Sequence, residues 1–487
     1  MILKVVNHKF HYEMENMCRV FFPYESIRVI HEGDEGEDSF LVVTSLYEAD
    51  GEYTVSVRLS LEGVTEAAEC TETNYGDCER QMAVLLYNIL CKVTGYIPQW
   101  GILTGVRPSK LMNTLMNDMG DEDAIAYFNE KLLVSPDKTN LAFSVAKAEE
   151  KIMSLSDEKS FSLYVSIPFC PTRCNYCSFV SHSIAQAKKL LPEYVEKLCE
   201  EIRYTAQIVK SLDLRLESVY WGGGTPTTLS AEQLDKVCKE IEDNFDLSFC
   251  REYTIEAGRA DTVTAEKLDV IRNYGVTRIS INPQTFNDDV LVSIGRKHTV
   301  KDVIDIYETA RSKGFDNINM DLIAGLTDDN YESFCHSVDK AIELNAENIT
   351  LHTLALKRSS TIVTGGIDVQ SGDVANKMLV YAQKRFYENG YIPYYMYRQS
   401  RSLGNLENVG WCKPGYECLY NIFMMEECHT VLAVGAGAVI KLKDPFSRNI
   451  ERIFNYKYPY EYISRFDELL QRKAKIKEFY NGVLNDG

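Results

Sequence analysis

The sequence predicts an α/β protein: a partial (β/α)6 barrel, preceded by an N-terminal α+β domain and followed by a small C-terminal appendage. From Phe161 onwards, short apolar segments alternate with longer amphipathic ones, and each such crossover places the next strand parallel to the last. The chain has 487 residues, more than one hydrophobic core usually spans. We therefore expect domains at 1–157, 158–390 and 391–487.

The N-terminal domain is predicted from a hairpin and a helix. Apolar and polar residues alternate at 39–49 and at 52–63, and Asp50-Gly51 between them favours a two-residue turn. Apolar residues at helical spacing predict a helix over 79–93. These patterns indicate a folded domain but no role for it.

Six apolar segments are the strand candidates of the barrel. They lie at 162–167, 218–223, 252–257, 278–284, 318–325 and 348–355. In such a sheet the loops that follow the strands gather at one end, so we expect the chemistry there. The alternation stops after about Tyr391, and we expect the remaining residues to cover the substrate side of that end.

Charge and composition limit the function classes. The net charge of −19 argues against a nucleic-acid groove, although a site for a small anion needs only a few local cations. No apolar run approaches the ~20 residues of a membrane span, and the N-terminus lacks the apolar core of a secretory signal. We therefore expect a cytoplasmic protein whose 14 cysteines are reduced.

Cys170, Cys174 and Cys177 form a compact C-x-x-x-C-x-x-C cluster directly after the first barrel strand. Three thiolates are one fewer than a structural zinc site or an ordinary ferredoxin cluster uses. A [4Fe-4S] cluster held here would keep one iron open for a non-protein ligand. Structural zinc with His182 as fourth ligand, or three unrelated buried thiols, are the alternatives.

The motifs around these cysteines resemble those of a known family. Over Phe161 to Leu356, the stretches LYVSIPFC, YWGGGTPT, TIEAGR, RISINPQTF, IGRKH and MDLIAGL resemble the coproporphyrinogen III oxidase group of the radical S-adenosylmethionine (SAM) superfamily. That group includes oxygen-independent dehydrogenases and haem chaperones. The tail segments YYMYRQ, GNLENVGWCKPG, LYNIFMMEE and GAGAVIK look most like the HemZ-type coproporphyrinogen dehydrogenases.

The resemblance implies roles for individual residues. The three cysteines would hold one [4Fe-4S] cluster, and one or two SAM molecules would bind beside it. An acid can accept hydrogen bonds from ribose hydroxyls, an arginine can pair with a carboxylate, and glycines let backbone groups approach a ligand closely. The residues implied for SAM are Tyr164, Tyr176, Gly222, Gly223, Gly224, Thr225, Glu256, Gln284, Arg296 and Asp321.

The resemblance also implies a reaction and partners. Reductive cleavage of SAM would yield a 5′-deoxyadenosyl radical that abstracts hydrogen from a propionate of coproporphyrinogen III. Loss of CO2 and one electron then leaves a vinyl group, and two such conversions give protoporphyrinogen IX. The partners would be this tetrapyrrole and an electron donor such as flavodoxin or ferredoxin. Cations that could orient the substrate carboxylates are Arg296, Lys297, Lys357, Arg358, Arg398 and Arg401.

Two positions depart from the dehydrogenase pattern. Phe179 stands where those enzymes carry a fourth cysteine, as in the haem-chaperone branch, and Ser166 stands where they carry a histidine. A haem-binding chaperone is therefore an alternative function, with His352 as the nearest candidate for haem contact. A radical SAM enzyme that modifies haem or another substrate, such as a methyltransferase, is a third.

Overall fold

The computed structural model describes residues 1–31, 39–177, 182–357, 360–364 and 370–486. The chain divides into two compact units, each assembled from three stretches of sequence. The first unit comprises Met1–Ala146, Ser371–Asn376 and Met396–Glu407, and the second comprises Lys147–Gln370, Lys377–Tyr395 and Asn408–Gly487.

The first unit contains a five-stranded sheet. Its strands are β1 (Ile2–Val6), β2 (Arg28–Ile30), β3 (Phe40–Ala49), β4 (Glu52–Leu61) and β5 (Val64–Glu72), in the order β2-β1-β3-β4-β5. The predicted hairpin is confirmed, because Ala49 pairs with Glu52 across the turn. Asp50 and Gly51 have φ values of 54° and 82°, the left-handed geometry that a two-residue turn of type I′ requires.

Helices cover this first sheet and lead into the second unit. They are α1 (His11–Phe21), α2 (Tyr75–Thr94), α3 (Pro108–Met119), α4 (Asp121–Ala126) and α5 (Pro136–Met153). The predicted helix is confirmed as α2, which begins after Asn74, whose side chain accepts from the Gly76 N–H. It ends at Gly95, where φ is 71°.

The second unit contains an eleven-stranded sheet with the six predicted barrel strands at its centre. They are β6 (Ser160–Ile167), β9 (Arg215–Gly223), β10 (Glu252–Glu256), β11 (Arg278–Ser280), β12 (Ile318–Ala324) and β13 (Asn348–Thr353). They pair in parallel and in chain order, as the alternating pattern predicted. A short parallel pair, β7 (Phe169–Cys170) and β8 (His182–Ser183), lies outside this sheet.

The C-terminal part of the chain extends the same sheet at both edges, which the sequence did not predict. Its strands are β14 (Ile392–Arg398), β15 (Glu407–Cys412), β16 (Thr430–Val434), β17 (Val439–Lys443) and β18 (Ile450–Phe454). On one side β15 pairs antiparallel with β13 and is followed by β14. On the other side β16 pairs parallel with β6, and β17 and β18 complete that edge.

The remaining helices lie between the strands of the second sheet or follow its last strand. They are α6 (Ile184–Ala187), α7 (Leu191–Ser211), α8 (Ala231–Asn244), α9 (Ala265–Asn273), α10 (Asp288–Ser293), α11 (Val300–Ser312), α12 (Tyr331–Glu343), α13 (Thr361–Thr364), α14 (Gly372–Glu388), α15 (Leu419–Glu426), α16 (Pro459–Ser464) and α17 (Phe466–Asp486). Across the described ranges, none of the helices combines the length and apolar character needed to cross a membrane.

Candidate functional site

The cysteine loop contacts the glycine run Gly222–Gly224 at the end of β9. The Gly224 N–H donates to the Ile167 carbonyl at 2.8 Å, and the Thr225 N–H donates to the Phe169 carbonyl at 2.8 Å. A Cβ at Gly224 would lie 2.5 Å from the Phe169 oxygen, so only glycine permits this approach. The Thr225 hydroxyl donates to the Cys170 sulfur at 3.5 Å. The structure thus brings these two predicted parts of the site together.

The turn after α10 holds the other side of the cysteine loop. The Asn175 N–H donates to the Ile294 carbonyl at 3.1 Å, and its side-chain amide donates to the Ser293 carbonyl at 2.9 Å. The Thr172 hydroxyl donates to the Gly295 carbonyl at 3.0 Å. Because backbone carbonyls accept all three bonds, this turn fixes the path of the loop around Cys174.

A charged network that the sequence analysis missed also supports the loop. Arg259, 3% exposed, donates to the Thr172 hydroxyl at 2.9 Å and pairs with Asp261 at 2.8 Å. Asp261 also contacts His298 Nδ1 at 3.4 Å. Burial opposes ionisation of Asp261, but the bonds from His298 and Arg259 hold its pKa below the usual range. Arg259 is the last residue of the TIEAGR motif, so the motif could have identified it as a candidate site residue.

Arg296 is buried beside the cysteine loop with one donor unused. Its Nη1 donates to the Asn282 carbonyl at 2.7 Å, and its Nη2 donates to the Tyr176 hydroxyl at 3.3 Å. Within the described chain, Arg296 Nε and Asn282 Oδ1 are buried without a hydrogen-bond partner. A buried donor and acceptor left open cost free energy unless a ligand completes them. This pair fits a small ligand with anionic and hydrogen-bond-donating groups.

Glu256 provides the acidic side of the site. Its Oε1 accepts from the Tyr220 hydroxyl at 2.6 Å. Burial raises the pKa of Glu256 to about 7; the Tyr220 bond opposes this rise, and the nearby Asp321 adds to it. A Cβ at Gly222 would lie 3.2 Å from the Glu256 carboxylate and 3.2 Å from the Tyr164 hydroxyl. Glycine therefore keeps the space in front of this carboxyl open.

Asp321 lies on β12, beside β13 and the segment that follows β11. It accepts from the Asn319 amide at 2.8 Å and lies 3.7 Å from His352 Nε2. The Gln284 N–H donates to the Asp321 carbonyl at 2.8 Å, and Gln284 has a φ of 70°. A non-glycine residue at positive φ costs about 1 kcal/mol and is common at functional sites. The predicted strand at 278–284 ends early in the structure, at Ser280, and Gln284 pairs with Leu322 in an isolated bridge.

Three tyrosines stack next to Glu256. The ring centroids of Tyr220 and Tyr420 are 4.5 Å apart, and the Tyr164 ring lies 6.0 Å from that of Tyr420. Burial raises the pKa of all three hydroxyls. Tyr164 was predicted from its motif, whereas Tyr420 comes from the tail segment LYNIFMMEE and was missed. Stacked neutral rings form an apolar wall beside a polar site.

The substrate cations predicted from the sequence include Arg296, described above, and two arginines of the first unit, Arg398 and Arg401. Arg398 belongs to the first unit, where its guanidinium donates to the Leu103 and Gly105 carbonyls. Burial lowers the pKa of Arg398 to about 9. Arg401 is half-buried in the same unit with a φ of 66°. Arg358 lies outside the described residues, as does Phe179.

Ser166, the departure from the family histidine, lies at the end of β6. Its hydroxyl donates to the Ala436 carbonyl at 2.8 Å, and a Cβ at Gly223 would lie 3.1 Å from its oxygen. The side chain is 4% exposed. The serine therefore fills a small space between the glycine run and the turn after β16.

The donor set of the loop fits an iron-sulfur cluster in its chemistry. Cys170, Cys174 and Cys177 lie on one short loop, and none of the three is in a disulfide. Each thiolate of such a cluster binds its own iron, so the sulfurs surround the cluster instead of converging on one ion. Among the residues that the structure describes, no three His, Cys, Asp or Glu side chains converge as a site for one metal ion.

Comparisons with known proteins identify relatives of this chain. The family profile described as Radical SAM superfamily matches residues 164–341. The oxygen-independent coproporphyrinogen-III oxidase-like protein HemZ of Bacillus subtilis is 36% identical over 96% of this chain and 96% of its own. The haem chaperone HemW of Lactococcus lactis is 31% identical over 66% of this chain and 80% of its own. The solved coproporphyrinogen III oxidase HemN of Escherichia coli, 24% identical, matches with a TM-score of 0.53 over 66% of this chain and 72% of its own.

Proposed function

The chain belongs to the radical SAM superfamily and, within it, to the coproporphyrinogen-III oxidase-like family, and from this premise we propose that it oxidatively decarboxylates coproporphyrinogen III. The observation that carries the proposal is the HemZ relative, which aligns over 96% of both chains and therefore includes the tail as well as the barrel. Two propionates would become vinyl groups, giving protoporphyrinogen IX. Each conversion would remove one hydrogen atom, which is taken up when SAM is cleaved, one CO2, and one electron, which an oxidised one-electron carrier would accept.

Three groups of side chains would hold the cofactors that the family implies. Cys170, Cys174 and Cys177 would ligate the [4Fe-4S] cluster. Arg296, with its open Nε, would pair with the carboxylate of SAM, while Glu256 and Asp321 would accept from its amine and hydroxyl groups. When bound, the cluster and SAM supply one-electron cleavage of a carbon–sulfur bond to an organic radical.

The remaining residues of the site would shape and shield this chemistry. The backbone of Gly222, Gly223, Gly224 and Thr225 would line the methionine end of SAM, with Tyr164 and Tyr176 beside it and Gln284 at the adjacent strand end. The tyrosine wall would exclude water from the reacting groups, which protects a radical from side reactions.

Product analysis tests this proposal. Anaerobically reconstituted protein, given SAM, dithionite and coproporphyrinogen III, should yield protoporphyrinogen IX and 5′-deoxyadenosine, measured by mass spectrometry. Cys174→Ala should abolish both products because the cluster loses a ligand. Cys335→Ala, which removes a thiol on α12, should keep them. Absence of protoporphyrinogen from the reconstituted wild type would contradict the proposal.

A haem chaperone is the second candidate. The HemW relative at 31% identity favours it, and so does Phe179, which replaces the fourth cysteine of the dehydrogenases. In this case the protein should bind haem stoichiometrically and form no protoporphyrinogen. His352→Ala would then weaken haem binding if this histidine contacts the iron, and the Soret band of the complex would report the change.

A further inference from the structure

We propose that the surface beside the cysteine loop is the docking site of a small acidic protein that delivers single electrons, an inference that rests on the proposed function. We call this surface the lysine–tyrosine face. It consists of Lys188, Lys189, Lys457, Tyr458 and Tyr460, which belong to the second unit.

The lysine–tyrosine face is joined to the cysteine loop by the short pair β7–β8. His182 of β8 lies opposite Phe169 in this pairing, one position before Cys170. The His182 ring packs edge-on against Tyr458, with 5.9 Å between the ring centroids. α6 follows β8, packs against both strands and ends directly before Lys188. The face therefore lies against the strand that carries the first cysteine.

Two tyrosines give this face an exposed aromatic surface. Tyr458 is 36% exposed and Tyr460 is 51% exposed, and their rings stack with centroids 5.6 Å apart. Exposed aromatic groups are enriched at the centre of protein interfaces, because they bury a large area with few side-chain degrees of freedom. A stacked pair at the surface is thus typical of a docking site.

The positive charge of the lysines favours a negatively charged partner. Lys188, Lys189 and Lys457 are exposed, and none of them forms an ion pair within the described part of the chain. The Lys457 ammonium lies 6.0 Å from the centre of the Tyr458 ring. On a chain with a net charge of −19, this local positive charge would attract an acidic partner and orient it. In the transfer the partner would lose one electron, and the cluster that Cys170, Cys174 and Cys177 would hold would gain it.

Binding of oxidised flavodoxin, a small acidic electron carrier, tests the inference. The triple variant Lys188→Glu/Lys189→Glu/Lys457→Glu should weaken binding about tenfold or more in titration calorimetry at low ionic strength, since charge steering is lost. Added salt should weaken binding of the wild type. A matched variant, Lys151→Glu/Lys210→Glu/Lys377→Glu, changes the net charge equally at exposed lysines elsewhere and should change the affinity less than about twofold. Equal weakening in both variants, or no binding by the wild type, would overturn the inference.

A kinetic comparison separates this inference from the proposed function. Cleavage of SAM should be slowed in the first variant when reduced flavodoxin is the donor, but unchanged when dithionite is the donor. Slowing with dithionite as well would overturn the docking role. If the wild type cleaves no SAM even with dithionite, the proposed function fails, and the binding titration alone decides whether the face recognises an acidic protein.

Discussion

Several residues of the site have buried polar groups that lack a full set of hydrogen-bond partners. Arg296 Nε and Asn282 Oδ1 have none within the described chain, and Glu256 faces Asp321, a second carboxyl. Leaving one such group unsatisfied costs about 1–3 kcal/mol. Gln284 adds backbone strain at its φ of 70°. Unsatisfied or strained groups of this kind persist where a bound ligand offsets their free-energy cost. This is the physical reason to expect the ligand at these residues.

Replacing Glu256 by Gln should change how stability depends on pH. The folded pKa of Glu256 is raised to about 7 by burial, whereas the unfolded carboxyl ionises near its usual pKa of 4.5. Between these values the folded state binds more protons, so the stability of the wild type falls as pH rises through that window. Glu256→Gln removes the titrating carboxyl and therefore this pH-dependent loss of stability.

The expected result for Glu256→Gln is a free energy of unfolding about 1–2 kcal/mol higher than that of the wild type at pH 8 and little difference at pH 4. Urea unfolding of the cofactor-free protein at both values measures it. Glu242→Gln, at an exposed position on α8, should show no such pH dependence. A constant difference between Glu256→Gln and the wild type at both pH values would contradict the raised pKa.

At the scale of elements, the central strands could be predicted because each is a short apolar run followed by a helical pattern. The pairing of distant strands could not be predicted in this way. Thr430 of β16 lies opposite Phe161 of β6, and Asn348 of β13 lies opposite Cys412 of β15. Apolar alternation indicates that a segment is a strand but not which edge it joins, so the tail was predicted only as an appendage.

The same limit applies to the site. The three cysteines and the glycine run could be predicted from motifs, because each motif lies at a strand end and such ends converge. The roles of Tyr420 and Arg259 could not, because these roles arise from tertiary contacts: a ring stack with Tyr220 and a hydrogen bond to Thr172. A motif can contain such a residue, but the local sequence does not show which distant partner it contacts.

The C-terminal helix α17 is held in the second unit by a buried ion pair. Lys473 Nζ lies 2.9 Å from Glu201 on α7 and donates to the Ala433 carbonyl at 2.9 Å. Both charged side chains are 0% exposed. Glu201 also accepts from the Gly435 N–H at 2.7 Å and the Tyr462 hydroxyl at 2.6 Å. One carboxylate thus joins α7, α16, α17 and the turn after β16.

Lys473→Met should lower the free energy of unfolding by about 3–5 kcal/mol, because the Glu201 carboxylate is left buried without its cation. Lys477→Met, an exposed position on the same helix, should stay within about 0.5 kcal/mol of the wild type. The double variant Lys473→Met/Glu201→Gln should recover part of the loss. Denaturant unfolding measures all three, and equal effects at 473 and 477 would show that the ion pair does not hold the helix.

At the scale of the whole molecule, the first unit is completed by residues from far along the chain. Lys138 Nζ lies 2.5 Å from Glu407, a partner 269 positions away, and the Trp100 indole N–H donates to the same carboxylate at 2.8 Å. The Lys138 and Glu407 side chains are each 3% exposed. Arg398, from the same late stretch, donates to carbonyls of the loop at 103–105. The N-terminal sequence is therefore only part of its own folding unit.

Removing the distant carboxylate should destabilise the first unit. In the full-length chain, Glu407→Leu leaves the Lys138 ammonium buried and unpaired, which should cost about 3–5 kcal/mol. Hydrogen exchange should then increase in peptides that contain Trp100 and Lys138, and change less in those of the central strands β9 and β10. Glu407→Leu/Lys138→Met removes both charges and should restore much of the protection. If the single variant exchanged like the wild type, the late stretch would contribute no stability to this unit. The hydrogen bonds and the ion pair at Glu407 are the physical reason to expect otherwise.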